Sequence, residues 1–167
     1  MSRPSIREGL VVGFIAYTAV AVFYAAFDLL AARGLLYTVD LLGRAMFRGL
    51  RDPAVLQFPN ALDLAAVFWY NGFHLVVSLA IGLVVTGLLF RAERHPGQRR
   101  LILAVIVAGF VVTVLGVGFL TVSIRPLLPW WSIVVANALA TVAGAVYLVR
   151  RHVVDWVSAS GPRQAVT

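Results

Sequence analysis

A chain of 167 residues with an apolar fraction of 61% and a mean hydropathy of +0.92 lies well outside the composition of ordinary soluble domains. Cysteine is absent, which excludes disulfides, thiolate metal sites and cysteine nucleophiles. The formal charge of +7 comes from 14 Arg and no Lys set beside apolar runs, so a lipid bilayer with anionic headgroups, and no nucleic acid, is the expected partner.

Residues 1–8 are polar and basic. The apolar run that follows, residues 9–32, is longer than the roughly 7–15 apolar residues of a signal peptide and carries Asp28 near its end. It is therefore expected to be a retained first transmembrane span. Between Arg33 and Asp63 the chain changes character. Thr38 is placed to cap a helix starting at Val39, with Asp40 in its positively polarised first turn. Val39, Leu42, Met46 and Leu50 recur at helical spacing, and Arg44, Arg48 and Arg51 form a basic strip. This pattern predicts a short amphipathic interfacial helix over about 39–50, with its Arg side chains at headgroups. Asp52-Pro53 reads as an N-cap and first helical position, and Pro59-Asn60 as a turn.

Residues 64–90 carry no charged side chain and end at Arg91. As a helix they would reach about 40 Å, more than the roughly 30 Å hydrocarbon core of a bilayer, so they form the second span. After the basic loop Arg91–Arg100 come a third span over 101–122 and a short hairpin containing Arg125. The fourth span covers 130–149 and opens on Trp130-Trp131, an expected interfacial pair. Residues 158–167 read as a frayed tail. The fold expected is an all-α integral membrane protein: one membrane domain, 1–167, built as a four-transmembrane-helix bundle with the interfacial helix between helices 1 and 2.

Nine Arg fall on the side of the N-terminus, the 91–100 loop and the C-terminal tail, against five on the other. That distribution predicts an inner-membrane protein with both termini cytoplasmic. Each span also places its polar or small residues on one stripe. Tyr17, Tyr24 and Asp28 share a face, as do Asn71, His74 and Ser78, then Gly109, Thr113 and Gly116, and finally Asn137, Thr141 and Gly144. Counted from the non-cytoplasmic ends, Asp28, Asn71, Asn137, Tyr24 and His74 lie at overlapping depths of about 6–15 Å. These five form the candidate intramembrane polar site. Asp28 is expected to meet Asn71, Tyr24 or Arg125. The bland interpretation is a set of hydrogen bonds sealing helix contacts in lipid; the sharper one is a functional ionisable site.

No glycine loop beside a strand, nucleophile elbow or paired His motif occurs, so no catalytic residue, metal ligand or cofactor is assigned. The function expected is non-enzymatic, as an accessory or assembly subunit in a homo-oligomer or a larger membrane complex. One alternative is a small transporter or channel protomer using Asp28, Asn71 and His74. Another is a haem- or quinone-binding redox subunit, against which stands the lone intramembrane His.

Overall fold

The computed structural model describes residues 6–159, with side chains through Arg151. The tail expected at 158–167 lies almost wholly outside the described residues, as do Arg3, Arg163 and the His152 side chain. Six helices follow in order: α1 (Ile6–Leu30), α2 (Tyr37–Phe47), α3 (Pro53–Leu56), α4 (Leu64–Arg94), α5 (Arg99–Leu120) and α6 (Trp130–Ala159), and no strand occurs among the described residues. Four of them, α1, α4, α5 and α6, are long and apolar enough to cross a membrane, and little of their surface is buried by the protein itself. Phe68, Trp69 and Phe119 are each at least 60% exposed. A water-facing protein could not keep such an array, because every exposed apolar surface costs hydration free energy.

The helices run up and down. At one end Arg151 of α6 comes within 3.8 Å of Glu8 of α1. At the other, Arg33 just beyond α1 donates 3.0 Å to the Leu127 carbonyl just before α6. Helix α1 is central: it packs on α4 and on α6, while α2 lies against α4.

Glycine sets the closest contact. Gly9 and Gly13 of α1 face Ser78 and Gly82 of α4, one turn apart on each helix. A methyl group on Gly13 would come within 2.5 Å of the Ser78 carbonyl oxygen, and one on Gly9 within 2.9 Å of the Leu83 Cα. A methyl on Gly82 would overlap the Gly9 carbonyl and the Gly13 backbone. Small residues spaced by four let two backbones meet directly, which is how helices associate where no hydrophobic force separates them from lipid. On the other flank Gly144 of α6 meets Val12.

The stripe expected on α5 behaves differently. Gly109 and Gly116 face open space, and Thr113 turns its hydroxyl back to the Gly109 carbonyl. The tight approach is instead at Gly118, against the Trp130 indole. On α5 only Ile102, Val114 and Gly118 are buried.

The largest buried cluster sits at the end formed by residues 31–63 and 121–133. Tyr24, Tyr37, Leu41, Leu42, Leu56, Ile124, Leu128 and Ile133 pack there. Helix α2 supplies much of it. It spans 37–47 against the expected 39–50 or so, and it turns a wide face into the protein, where Tyr37, Thr38, Asp40, Leu41, Leu42, Gly43 and Ala45 are all buried. Its end is set by Gly49 at φ +67°, a left-handed conformation that returns the Leu50 N–H to the Arg44 carbonyl at 3.2 Å. As expected, Asp52 caps α3, accepting from the Ala54 N–H at 2.9 Å with Pro53 at the first helical position.

The glycine seam gives a prediction. Gly82→Leu should lower unfolding stability in detergent by about 2 kcal/mol or more, since neither backbone can yield. Gly109→Ala, placed in open space, should change it by less than about 0.5 kcal/mol. Equal losses in the two variants, followed by denaturant titration, would contradict the seam.

Candidate functional site

The acids at the α2 end are all committed to backbone N–H groups. A helix start leaves its first N–H groups without intrahelical partners, and a carboxylate is the best acceptor for them. Leu36 stands at the N-cap of α2 and has no side chain that can serve. Asp28 serves instead, from the last turn of α1: its Oδ2 accepts from the Thr38 N–H at 2.7 Å and its Oδ1 from the Thr38 hydroxyl at 2.6 Å. Thr38 is thus a partner inside the first turn and not the cap expected for it. The chain reaches this geometry by ending α1 with Ala32 at φ +53°, where the Arg33 N–H returns to the Asp28 carbonyl at 2.9 Å, and by turning again at Gly34 (φ +81°).

The same device recurs at α4. Asp63 is its N-cap and accepts from the Ala66 N–H at 3.0 Å. Asp40, fully buried in α2, accepts from the Asp63 N–H at 2.9 Å and from Arg44 Nε at 3.0 Å. Arg44 also donates to the Ala61 carbonyl, and Arg48 pairs with Asp63 at 3.0 Å. The expected headgroup strip divides: Arg44 is drawn inward to Asp40 and the Ala61 carbonyl, whereas Arg48, paired with Asp63, and Arg51 are both exposed. Arg48 holds the Asp63 carboxyl below the usual carboxylate range.

The five candidate residues separate into distinct neighbourhoods. Asp28 is fully buried and meets Thr38, not Asn71 or Arg125. Tyr24 lies in the buried cluster, edge-on to Phe23 and Phe27. Asn71 bridges the α1–α4 seam, accepting from the Tyr17 hydroxyl at 3.0 Å while donating to the Val67 carbonyl of its own helix at 2.9 Å. His74 sits one turn further along, its ring centroid 5.2 Å from that of Tyr17 and 5.9 Å from that of Tyr70. Asn137 donates to the Ile133 carbonyl of α6 at 2.8 Å.

Asn71 and His74 do come together, in company with Tyr17 and Tyr70. Tyr17 had a sequence signal, because it shares the face of Tyr24 and Asp28. Tyr70 had one as well, four residues before His74 on the same helix. Tyr70 also packs against the cluster that contains Tyr24. Among the described residues no group of three or more His, Asp or Glu is placed to hold a metal ion.

No family model matches the chain, and no curated protein or solved structure is similar to it.

Two outcomes follow from the acid pairings. Asp28→Ala should cost about 2 kcal/mol, and Asp28→Asn less because an acceptor remains. A double-mutant cycle with Thr38→Val should show coupling of about 1 kcal/mol; additivity would mean that the two side chains do not meet. For Asp63 the folded value lies below the unfolded one. Its pairing therefore stabilises above the ordinary carboxylate range and is lost as the pH falls through the folded value. The stability difference between the native chain and Asp63→Asn should accordingly shrink below about pH 4. A difference independent of pH down to the acid-unfolded state would refute the pairing.

Proposed function

We propose that this chain is a small integral protein of the inner membrane, non-enzymatic, serving as a structural or assembly subunit beside other membrane components. The observation that carries this reading is the use made of the polar groups. Asp28, Asp40, Asp52 and Asp63 are each spent on a backbone N–H, and Asn71 and Asn137 on hydrogen bonds to helix carbonyls or a tyrosine. Such use builds a rigid cap and closed seams. The exposed length of α5 offers lipid, another copy or a larger complex a continuous apolar surface.

The orientation proposed places both termini and the Arg91–Arg100 loop in the cytoplasm. The end carrying them has nine Arg and three acids by sequence, and the opposite end five Arg and four acids. Of those five, Arg33, Arg44 and Arg48 are held by carbonyls or carboxylates within the protein. Excess Arg at the first end supports a cytoplasmic assignment for it.

One specific feature favours a second reading, a proton or solute path. His74 is half-buried with phenol rings on two sides and the Tyr17–Asn71 hydrogen bond a turn away. An ionisable group at that depth is a functional candidate in its own right.

Labelling tests the orientation, and flux and absorbance decide between the readings. Since the chain lacks Cys, a single Cys at position 96 should be labelled only from the cytoplasmic side, and one at position 126 only from the opposite side. The reverse pattern would overturn the orientation. In proteoliposomes His74→Leu should leave proton flux at the background of empty vesicles, as the native chain does. Flux that the native chain carries and the variant loses would replace the structural reading with the path through His74. A Soret band in the purified chain would do so in favour of haem.

A further inference from the structure

Beyond the last turn of α1 lies an open cleft of about 360 Å³ lined in part by Arg33, Leu35, Leu36, Phe58, Asn60 and Leu62. That volume is at the lower end of ligand clefts, about 300–1,000 Å³. We propose that this cavity binds the phosphate of a phospholipid, with Arg33 as the anion-binding residue and the surrounding apolar side chains receiving the start of the acyl chains. The proposal rests on the reading that α1, α4, α5 and α6 lie in a bilayer.

Three observations converge on it. The guanidinium of Arg33 is fixed, with its carbon 5.2 Å from the Phe27 ring centroid and 5.1 Å from that of Tyr37, and one nitrogen donating to the Leu127 carbonyl at 3.0 Å. Among the described residues no carboxylate oxygen lies within 4.0 Å of it, in contrast to Arg44 and Arg48; buried Asp28 acts on it only from farther off, and the Tyr37 hydroxyl takes one of its donors. A guanidinium carries five N–H donors, so most remain for an anion, and a fork fixed in advance loses little entropy on binding one.

The walls are the second observation. Leu35, Leu36, Phe58 and Leu62 are exposed and apolar, yet they lie outside the four long helices. A cation ringed by exposed apolar groups matches an amphiphile and not a free anion. Position is the third: Arg33 stands three residues past the end of α1, the level at which headgroup phosphates meet hydrocarbon. A free phosphate would use only the charge, whereas a phospholipid uses charge, walls and level together.

The test is native mass spectrometry of the delipidated full chain in detergent, titrated with phosphatidylglycerol, with diacylglycerol of the same chains, and with inorganic phosphate as competitor. Phosphatidylglycerol should bind at least about tenfold more tightly than diacylglycerol, through charge-assisted hydrogen bonds. Inorganic phosphate at equal concentration should not displace it. Arg33→Gln should weaken phosphatidylglycerol about tenfold while leaving diacylglycerol unchanged. Because Arg33 also holds Leu127, Leu62→Trp serves as the second variant: it keeps the guanidinium, fills the cavity and should weaken both lipids. Equal binding of the two lipids, displacement by inorganic phosphate, or native affinity in both variants would overturn the proposal. Carbonate extraction of membranes carrying the same variants reports the bilayer reading separately. Chains that resist extraction but fail the lipid titration sink the cavity proposal alone, whereas extractable chains sink the reading beneath it.

Discussion

A helix start leaves its first N–H groups without intrahelical partners, and residues 28–66 are arranged so that carboxylates take them up. Asp28 reaches from the end of α1 to the start of α2, where Leu36 cannot act as a cap. Asp63 caps α4, and Asp40 holds the backbone N–H of Asp63 itself. The carboxylates in turn fix the cations: Arg44 and Arg48 fold back over the 61–63 stretch. Helix α2 is thereby bound at the start of α4 by polar contacts and, along the same face, by the close approach of Gly43 to the Ala66 carbonyl. Its buried apolar face then completes the cluster with Leu56, Ile124 and Ile133.

Below this cap the bundle is held by shape. Gly9, Gly13, Ser78 and Gly82 bring α1 and α4 into backbone contact, and dispersion acts along the whole of that seam. The Tyr17–Asn71 hydrogen bond and the His74 ring lie on the same seam, nearer the cap. Polar and small residues thus divide one interface by depth. Glycines serve the half near the N-terminus of α1, and aromatic and amide groups serve the other half.

The four long apolar helices were legible because their runs are uninterrupted and charges bound them, a signal that needs no knowledge of neighbours. The α3 cap was equally plain, since Asp52-Pro53 is a local pattern. Partner choice was not legible. Asp28 meets Thr38, ten residues on, because the turn through Ala32 and Gly34 folds α2 over α1, and a left-handed alanine carries no sequence signature. The stripe on α2 reads as basic and interfacial, yet Arg44 turns to Asp40 and the Ala61 carbonyl, and Arg48 to Asp63, fifteen residues away. Periodicity identifies a face; it does not say what covers it. The Gly9 and Gly13 spacing is present in the chain, but it falls outside the polar stripe of Tyr17, Tyr24 and Asp28. On α5 the reverse held, where Gly109 and Gly116 formed a stripe that nothing meets.

The contrast between α5 and the α1–α4 pair has a mechanical consequence. Backbones in direct contact cannot slide, since a shift of one residue would drive a side chain into a space that accepts only hydrogen. Helix α5 has its buried residues at Ile102 near one end and at Val114 and Gly118 toward the other, with exposed residues along most of the length between. The middle of α5 thus lacks the direct backbone contact that locks α1 to α4, and its register against the other helices is set by its two ends alone.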